Sequence, residues 1–216
     1  MTIIRVVDFE TTGEKPPEAE VCEVGWHDME IGAENWLKDD FETLIRISRP
    51  MPPEASAIHH LTDEDFSGVG VRDRDRTFAQ LDLGCDYFAA HNAAFEQQFF
   101  VGTQPWICTL KAARRVWPDA PGHSNQVLRY WLKYPLMREL ACPAHRAGPD
   151  AYVTAWLLKA LLEKATIEDM VRWTGEPSLL PGKVRFGNLH KGKAWSEVPA
   201  DYLNWFVEKS TLDEDT

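Results

Sequence analysis

The sequence predicts an α/β fold, helices packed round a mixed sheet. Three observations predict it: short apolar runs come first, runs and helical stretches then alternate, and a long amphipathic helix follows at Asp150 to Lys164. Ile3 to Val7 is a β-branched run broken only by Arg5, and it reads as the first strand. A Gly/Pro-bearing turn, Gly13 to Pro17, leads to a second apolar stretch, Val21 to Trp26. Phe41 to Ser48 alternates apolar and polar residues, so the opening segment predicts an antiparallel meander of three strands.

The apolar group Tyr87 to Ala90 reads as the next strand, ends at His91-Asn92 and gives way to a helix from Ala93 to Phe100. Trp106 to Cys108 is a further strand, and Leu110 to Val116 a helix that Pro118 stops. In the Asp150 to Lys164 helix, Val153, Trp156, Leu157, Ala160 and Leu161 recur at helical spacing. Gly148-Pro149 marks its start, because proline is tolerated in a first turn. A short helix, Ile167 to Trp173, precedes a linker over 174–182 and a compact tail over 183–216. The predicted organisation is a catalytic domain over 1–173, that linker, and a small basic and aromatic module. Arg72 to Arg76 alternates in charge and reads as an exposed loop.

A chain of 216 residues suffices for one well-buried domain and a small appendage. Its formal net charge of −11 argues against a protein that coats nucleic acid by bulk electrostatics, while leaving room for a local grip on one strand end. No run of about 18 apolar residues occurs, and Arg5 and Asp8 interrupt the amino-terminal run, so neither a membrane span nor a cleaved signal is expected. Cys22, Cys85, Cys108 and Cys142 lack paired spacing and read as buried free thiols of a cytoplasmic protein.

Asp8 and Glu10 stand two apart at a strand end, so both side chains leave the same face of the sheet. Two carboxylates held together repel unless a cation lies between them, and hard oxygen ligands suit a divalent ion. The plainer reading, acids where a strand meets solvent, stands beside it. Thr11-Thr12-Gly13 adds a tight turn that lets backbone approach a ligand. In His91 to Glu96 a helix start would turn Glu96 inward, or Asn92 would simply cap the helix and Glu96 complement its dipole. His145 lies in a loop five residues before Asp150, where a surface histidine and a capping acid would also suffice.

Taken together, Asp8-Phe9-Glu10-Thr11-Thr12-Gly13, His91-Asn92-Ala93-Ala94-Phe95-Glu96 and His145-Arg146-Ala147-Gly148-Pro149-Asp150 resemble, in order, the three motifs of the DEDDh exonucleases. The likeness reaches further toward the bacterial exodeoxyribonuclease X family. It takes in Ala57-Ile58-His59-His60-Leu61-Thr62, the stretch from Trp106 to Pro118, and Phe186 to Lys193. The resemblance implies a ribonuclease H-like mixed five-stranded sheet flanked by helices. It also implies a 3′–5′ exonuclease that releases nucleoside 5′-monophosphates from DNA 3′ ends, single-stranded or duplex. Two divalent cations, Mg²⁺ or Mn²⁺, would be held by Asp8, Glu10, Glu96 and Asp150, with His145 as general base. Thr11, Thr12, His59, Leu61 and Asn92 would handle the terminal nucleotide.

Glu96 departs from the pattern, since the superfamily has aspartate there, and one methylene moves the carboxylate by roughly 1.5 Å. Two alternatives therefore stay open: a 3′ exoribonuclease with the same catalytic set, and a non-catalytic module that binds 3′ ends if Glu96 impairs metal binding. Many members of the superfamily are homodimers, but no exposed apolar stripe here asks for one. Lys111, Arg114, Arg115 and Arg129 are candidates for phosphate contacts. Lys183, Arg185, His190, Lys191 and Lys193 gather round Phe186 as an accessory strand-binding half, while Trp205 and Phe206 would pack the small module.

Overall fold

The computed structural model describes residues 1–68, 70–179, 184 and 189–209. Strand β1 (Ile3–Thr11) pairs antiparallel with β2 (Val21–Glu30), which pairs antiparallel with β3 (Leu37–Leu44). Helices α1 (Pro53–His59) and α2 (Arg74–Leu81) cross to β4 (Tyr87–Ala90), which runs parallel to β1. Helix α3 (Ala93–Phe99) then leads to β5 (Trp106–Cys108), parallel to β4. The result is a mixed five-stranded sheet in the order β3-β2-β1-β4-β5. Helices α4 (Thr109–Val116), α5 (Asn125–Leu132), α6 (Ala147–Leu162), α7 (Ile167–Thr174) and α8 (Ala200–Lys209) complete the described α-helices.

Alternation along the central strand sorts its side chains between two cores. Ile4 and Val6 join Ala155, Leu158 and Leu161 of α6, with Ala112 of α4 and Met170 of α7, on one face. Val7 and Phe9 face the other way, into a layer with Leu81, Ala93 and Phe100. Helices therefore cover both faces, as a sheet with parallel strands at its centre requires. Arg5 is buried and paired across the strands with Asp28, its register partner, at 2.7 and 2.6 Å. Its Nη1 donates to the carbonyls of Gln80, Leu81 and Leu83, tying β1 to the end of α2.

Several elements differ from the sequence expectation. The third strand is shifted toward the amino terminus, because Leu37–Leu44 is an edge strand whose polar residues face solvent while Ile45 instead bridges Arg72. The charged run 72–76 is not a loop: Asp73 accepts a hydrogen bond from Arg76 N and caps α2, which begins at Arg74. Cys142 is exposed, unlike the other three cysteines. Residues 174–178 are stitched to α4: Lys111 Nζ donates to the carbonyls of Thr174 and Glu176, and Arg115 binds the Glu176 carboxylate at 2.9 Å. Trp205 is 54% exposed beside Tyr202 rather than packed away, whereas His190 is buried edge-on to Tyr202 at 4.5 Å. Lys183, Arg185, Phe186 and the Phe206 side chain lie outside the described residues.

Candidate active site

The face of β1 that carries Ile4 and Val6 into the α6 core carries Asp8 and Glu10 at the strand's far end. Because Leu158 and Leu161 of α6 meet the early part of β1, the first turn of α6 comes to its acidic end, and that turn bears Asp150. The carboxylates of Asp8, Glu10 and Asp150 offer oxygens that all lie within 4.8 Å of one another. Helix α3 brings Glu96 in from the next strand connection, 3% exposed, with Oε2 lacking a hydrogen-bond partner.

Strand β2 supplies the seat for α6. Its residues Glu23, Gly25 and His27 alternate onto the face of Glu10, Asp8 and Val6, their register partners. Glu23, 1% exposed, accepts the Ala147 N–H at 2.9 Å and pairs with Arg146. The His27 ring meets the backbone of Gly148. Between them, a side chain on Gly25 would collide with Ala147 and Gly148, its Cβ only 2.3 Å from the Ala147 carbonyl carbon. Helix α6 has no side-chain cap of its own, and the strand beneath it provides one.

Packing four carboxylates into this space perturbs all of them. Burial, then repulsion from Glu10 and Asp150, lifts the Asp8 carboxyl well above its ordinary range. Burial, then Asp150 and Glu23, pushes Glu10 up to about 8, and burial foremost pushes Glu96 to about 8. Burial also raises Asp150, against the opposing hydrogen bonds from the His145 backbone at 2.7 Å and Gln126 at 2.8 Å. Such a set is costly to ionise unless cations neutralise it. Hard oxygen donors with one buried orphan oxygen fit divalent metal.

His145 sits in the left-handed region, φ 60°, with an exposed ring. Its backbone N–H is donated to Asp150 Oδ2, so the loop that presents the imidazole also orients the acid. The Thr11 hydroxyl donates to Gly13 O at 2.6 Å, and the Thr12 hydroxyl accepts from Glu20 N. Asn92, φ 84°, is exposed ahead of α3 and its side chain does not cap the helix. His59 and Leu61 are interior: the His59 ring accepts the Leu61 N–H at 3.1 Å and meets the Thr11 backbone, and Leu61 packs with Cys22, Met51 and Ala55. In this conformation neither side chain presents a face to a bound strand.

The nominated phosphate contacts are corrected. Lys111 and Arg115 are spent on residues 174–177, Arg114 binds Ser178, and Arg129 is buried against Ala141 O at 2.7 Å. Sequence reasoning also passed over Glu23, an acid inside an otherwise apolar β run, which is itself a sign of a buried, partnered charge.

The model of the family described as "Exonuclease" matches residues 6–158, a span that runs from β1 into α6 and carries all five predicted catalytic residues. The chain belongs to this family. Exodeoxyribonuclease 10 of Escherichia coli K12 is 32% identical over 209 residues, covering 94% of this chain and 90% of the relative. The epsilon subunit of DNA polymerase III of Treponema pallidum is 28% identical, covering 72% of this chain and 74% of its own. Exonuclease X, solved in complex with 5′ overhanging duplex DNA, superposes with a TM-score of 0.69 at 30% identity, over 80% of this chain and 99% of that one. Escherichia coli exonuclease I, at 13% identity and a TM-score of 0.60, shares the fold over 80% of this chain and 42% of its own. The chain is thus a 3′–5′ exonuclease of the DEDD superfamily. Among the described residues no helix is long and apolar enough to cross a membrane.

Proposed function

We propose that the chain is a metal-dependent 3′–5′ exodeoxyribonuclease that releases nucleoside 5′-monophosphates from DNA 3′ ends. The observation that carries this reading is the convergence of the Asp8, Glu10 and Asp150 carboxylates within 4.8 Å. These three, with Glu96, would hold two divalent cations, Mg²⁺ or Mn²⁺. Bound there, such ions supply a lowered pKa for water and neutralise charge on the departing oxygen.

The protein's own residues do the rest. His145 takes the proton of the attacking water as the new bond to phosphorus forms and the bond to the 3′ oxygen breaks. Its loop is anchored by Asp150 and, one residue on, by the Arg146–Glu23 pair, so the imidazole is delivered from a fixed base. The Thr11 and Thr12 backbone, next to Glu10, and Asn92, which opens the helix of Glu96, are assigned to the terminal nucleotide; His59 and Leu61 support that wall from behind. DNA is favoured by the kinship with exodeoxyribonuclease 10 and by the DNA-bound exonuclease X. The catalytic unit is assigned to 1–173, the connector to 174–182, and the module to 183–216. Three buried free thiols accord with a cytoplasmic setting.

The test incubates the protein with end-labelled single-stranded DNA, duplex DNA, 5′-overhanging duplex and RNA, with Mg²⁺, Mn²⁺ or chelator. Release of the 3′ terminal nucleotide from DNA, dependent on metal and lost in Asp8→Ala, is the expected result. Preferential trimming of RNA would instead favour the exoribonuclease. Binding without trimming, restored to trimming in Glu96→Asp, would place the defect in the longer side chain.

A further inference from the structure

The Asp150 carboxylate is clasped from two sides. Its Oδ2 accepts the His145 backbone N–H at 2.7 Å, and its Oδ1 accepts the Gln126 side-chain amide at 2.8 Å. Gln126 lies in the first turn of α5, and one turn on, Arg129 Nη1 donates to Gln126 Oε1 at 3.1 Å. A guanidinium has only donors, so this contact fixes which way the amide points: flipped, it would set N–H₂ against Nη1 and oxygen against the carboxylate. Arg129 is itself 8% exposed, and it donates to Ala141 O at 2.7 Å, at the base of the loop that leads to His145. Asn125, beside Gln126, donates to the Asp150 main-chain carbonyl at 3.1 Å.

We propose that Gln126, locked by Arg129, is a positioning residue that sets the orientation of the Asp150 carboxylate for cation binding; the inference rests on the metal-dependent reading of the site. Rotation about the bond to a carboxylate is soft and broad, so a single hydrogen bond from His145 leaves the second oxygen free to swing. The Gln126 amide removes that freedom. Arg129 in turn couples it to the His145 loop, so acid and base are registered to one buried guanidinium. Partners that orient a metal ligand typically govern affinity by about 10- to 100-fold.

Two variants separate positioning from mere packing. Gln126→Met keeps the length of the side chain and loses the donor. Gln126→Glu keeps the pairing with Arg129 and sets a carboxylate against that of Asp150. In the full chain, Mn²⁺ affinity is measured by titration calorimetry, kcat and KM on end-labelled DNA, and the melting temperature in chelator. The expected result is Mn²⁺ binding weakened about tenfold or more in Gln126→Met, and more in Gln126→Glu. With it, kcat falls, KM for the DNA end is unchanged, and the chelated melting temperature of Gln126→Met stays near that of the parent. Unchanged Mn²⁺ affinity in Gln126→Met, whether or not the melting temperature drops, overturns the inference alone. A parent protein that neither binds Mn²⁺ nor trims DNA overturns the metal-dependent reading and this inference with it.

Discussion

Replacing Gly25 with alanine probes how the acidic site is assembled without touching any of its acids. The added Cβ would lie 2.3 Å from the Ala147 carbonyl carbon and 2.4 Å from Gly148 N, both backbone atoms at the start of α6. Carbon atoms in contact prefer about 3.5 Å, so strand and helix must part by about 1.2 Å. Asp150 rides on that turn, and Ala147 N–H is bound to Glu23, so the displacement falls on the proposed metal ligand and on the anchor of its helix. A shift of about 1 Å in reacting groups can cost about 100-fold in rate, and overpacking costs about 1–3 kcal/mol in stability. Gly25→Ala is therefore expected to lower kcat by about two orders of magnitude, with a fall in melting temperature. Gly148→Ala is the contrast: its Cβ would meet Glu42 Oε2 at 2.3 Å, the far end of a side chain that is 42% exposed and can swing aside. Its effect on turnover and melting should be well below that of Gly25→Ala, because a side-chain tip rather than backbone must yield. Both are read by release of labelled 3′ nucleotides under saturating Mg²⁺, alongside thermal denaturation. Parent-like turnover and melting in Gly25→Ala would refute the idea that this contact seats α6.

The raised carboxyls make metal-free stability fall as pH rises. The unfolded chain gives up the Glu10 proton near 4.5, whereas the folded chain keeps it to about 8, so stability is full below the lower value and declines through the higher. Mg²⁺ or Mn²⁺, which binds ionised ligands, should accordingly raise the melting temperature more at pH 8 than at pH 6, and an equal increment at both would contradict this. Asp28→Ala strands the buried Arg5 guanidinium and should cost about 3–5 kcal/mol in denaturant unfolding, with turnover per folded molecule retained. Because Lys111 and Arg115 are committed to residues 174–177, Lys111→Met and Arg115→Met should leave the salt dependence of DNA affinity unaltered. A drop of about 0.9 in the slope of log affinity against log salt would return either residue to the phosphate backbone.

Much of the fold was legible because it depends on local periodicity. The alternation that buries Ile4 and Val6 also puts Asp8 and Glu10 on their face, and the 3.6-residue repeat of Val153, Trp156, Leu157 and Leu161 marks α6 before any contact is known. Polar edges were harder to read. Strand β3 begins among Lys38, Asp39 and Asp40, and α2 hides its start in alternating charge, because neither needs an apolar pattern at an edge or on a surface. Helices α1 and α5 are short and follow Pro52 and Ser124, with too few turns for periodicity to declare itself.

By itself the sequence determined the chemistry: which acids stand at a strand end, which histidine precedes which helical acid, and that these occur in the order of a known family. Only the tertiary structure decided what each charge is for. Glu23 announces burial by its place in an apolar run but not its partner, and Arg129 looks in sequence like an ordinary helix-surface charge; yet one seats α6 and the other is buried behind Gln126. Lys111 and Arg115, which look suited to phosphate, are consumed by carbonyls and a carboxylate more than 60 residues away. The physical reason is common to all four. A charged side chain's sequence neighbours do not name the group that satisfies it, whether water, substrate or protein; that partner is fixed only when the chain folds.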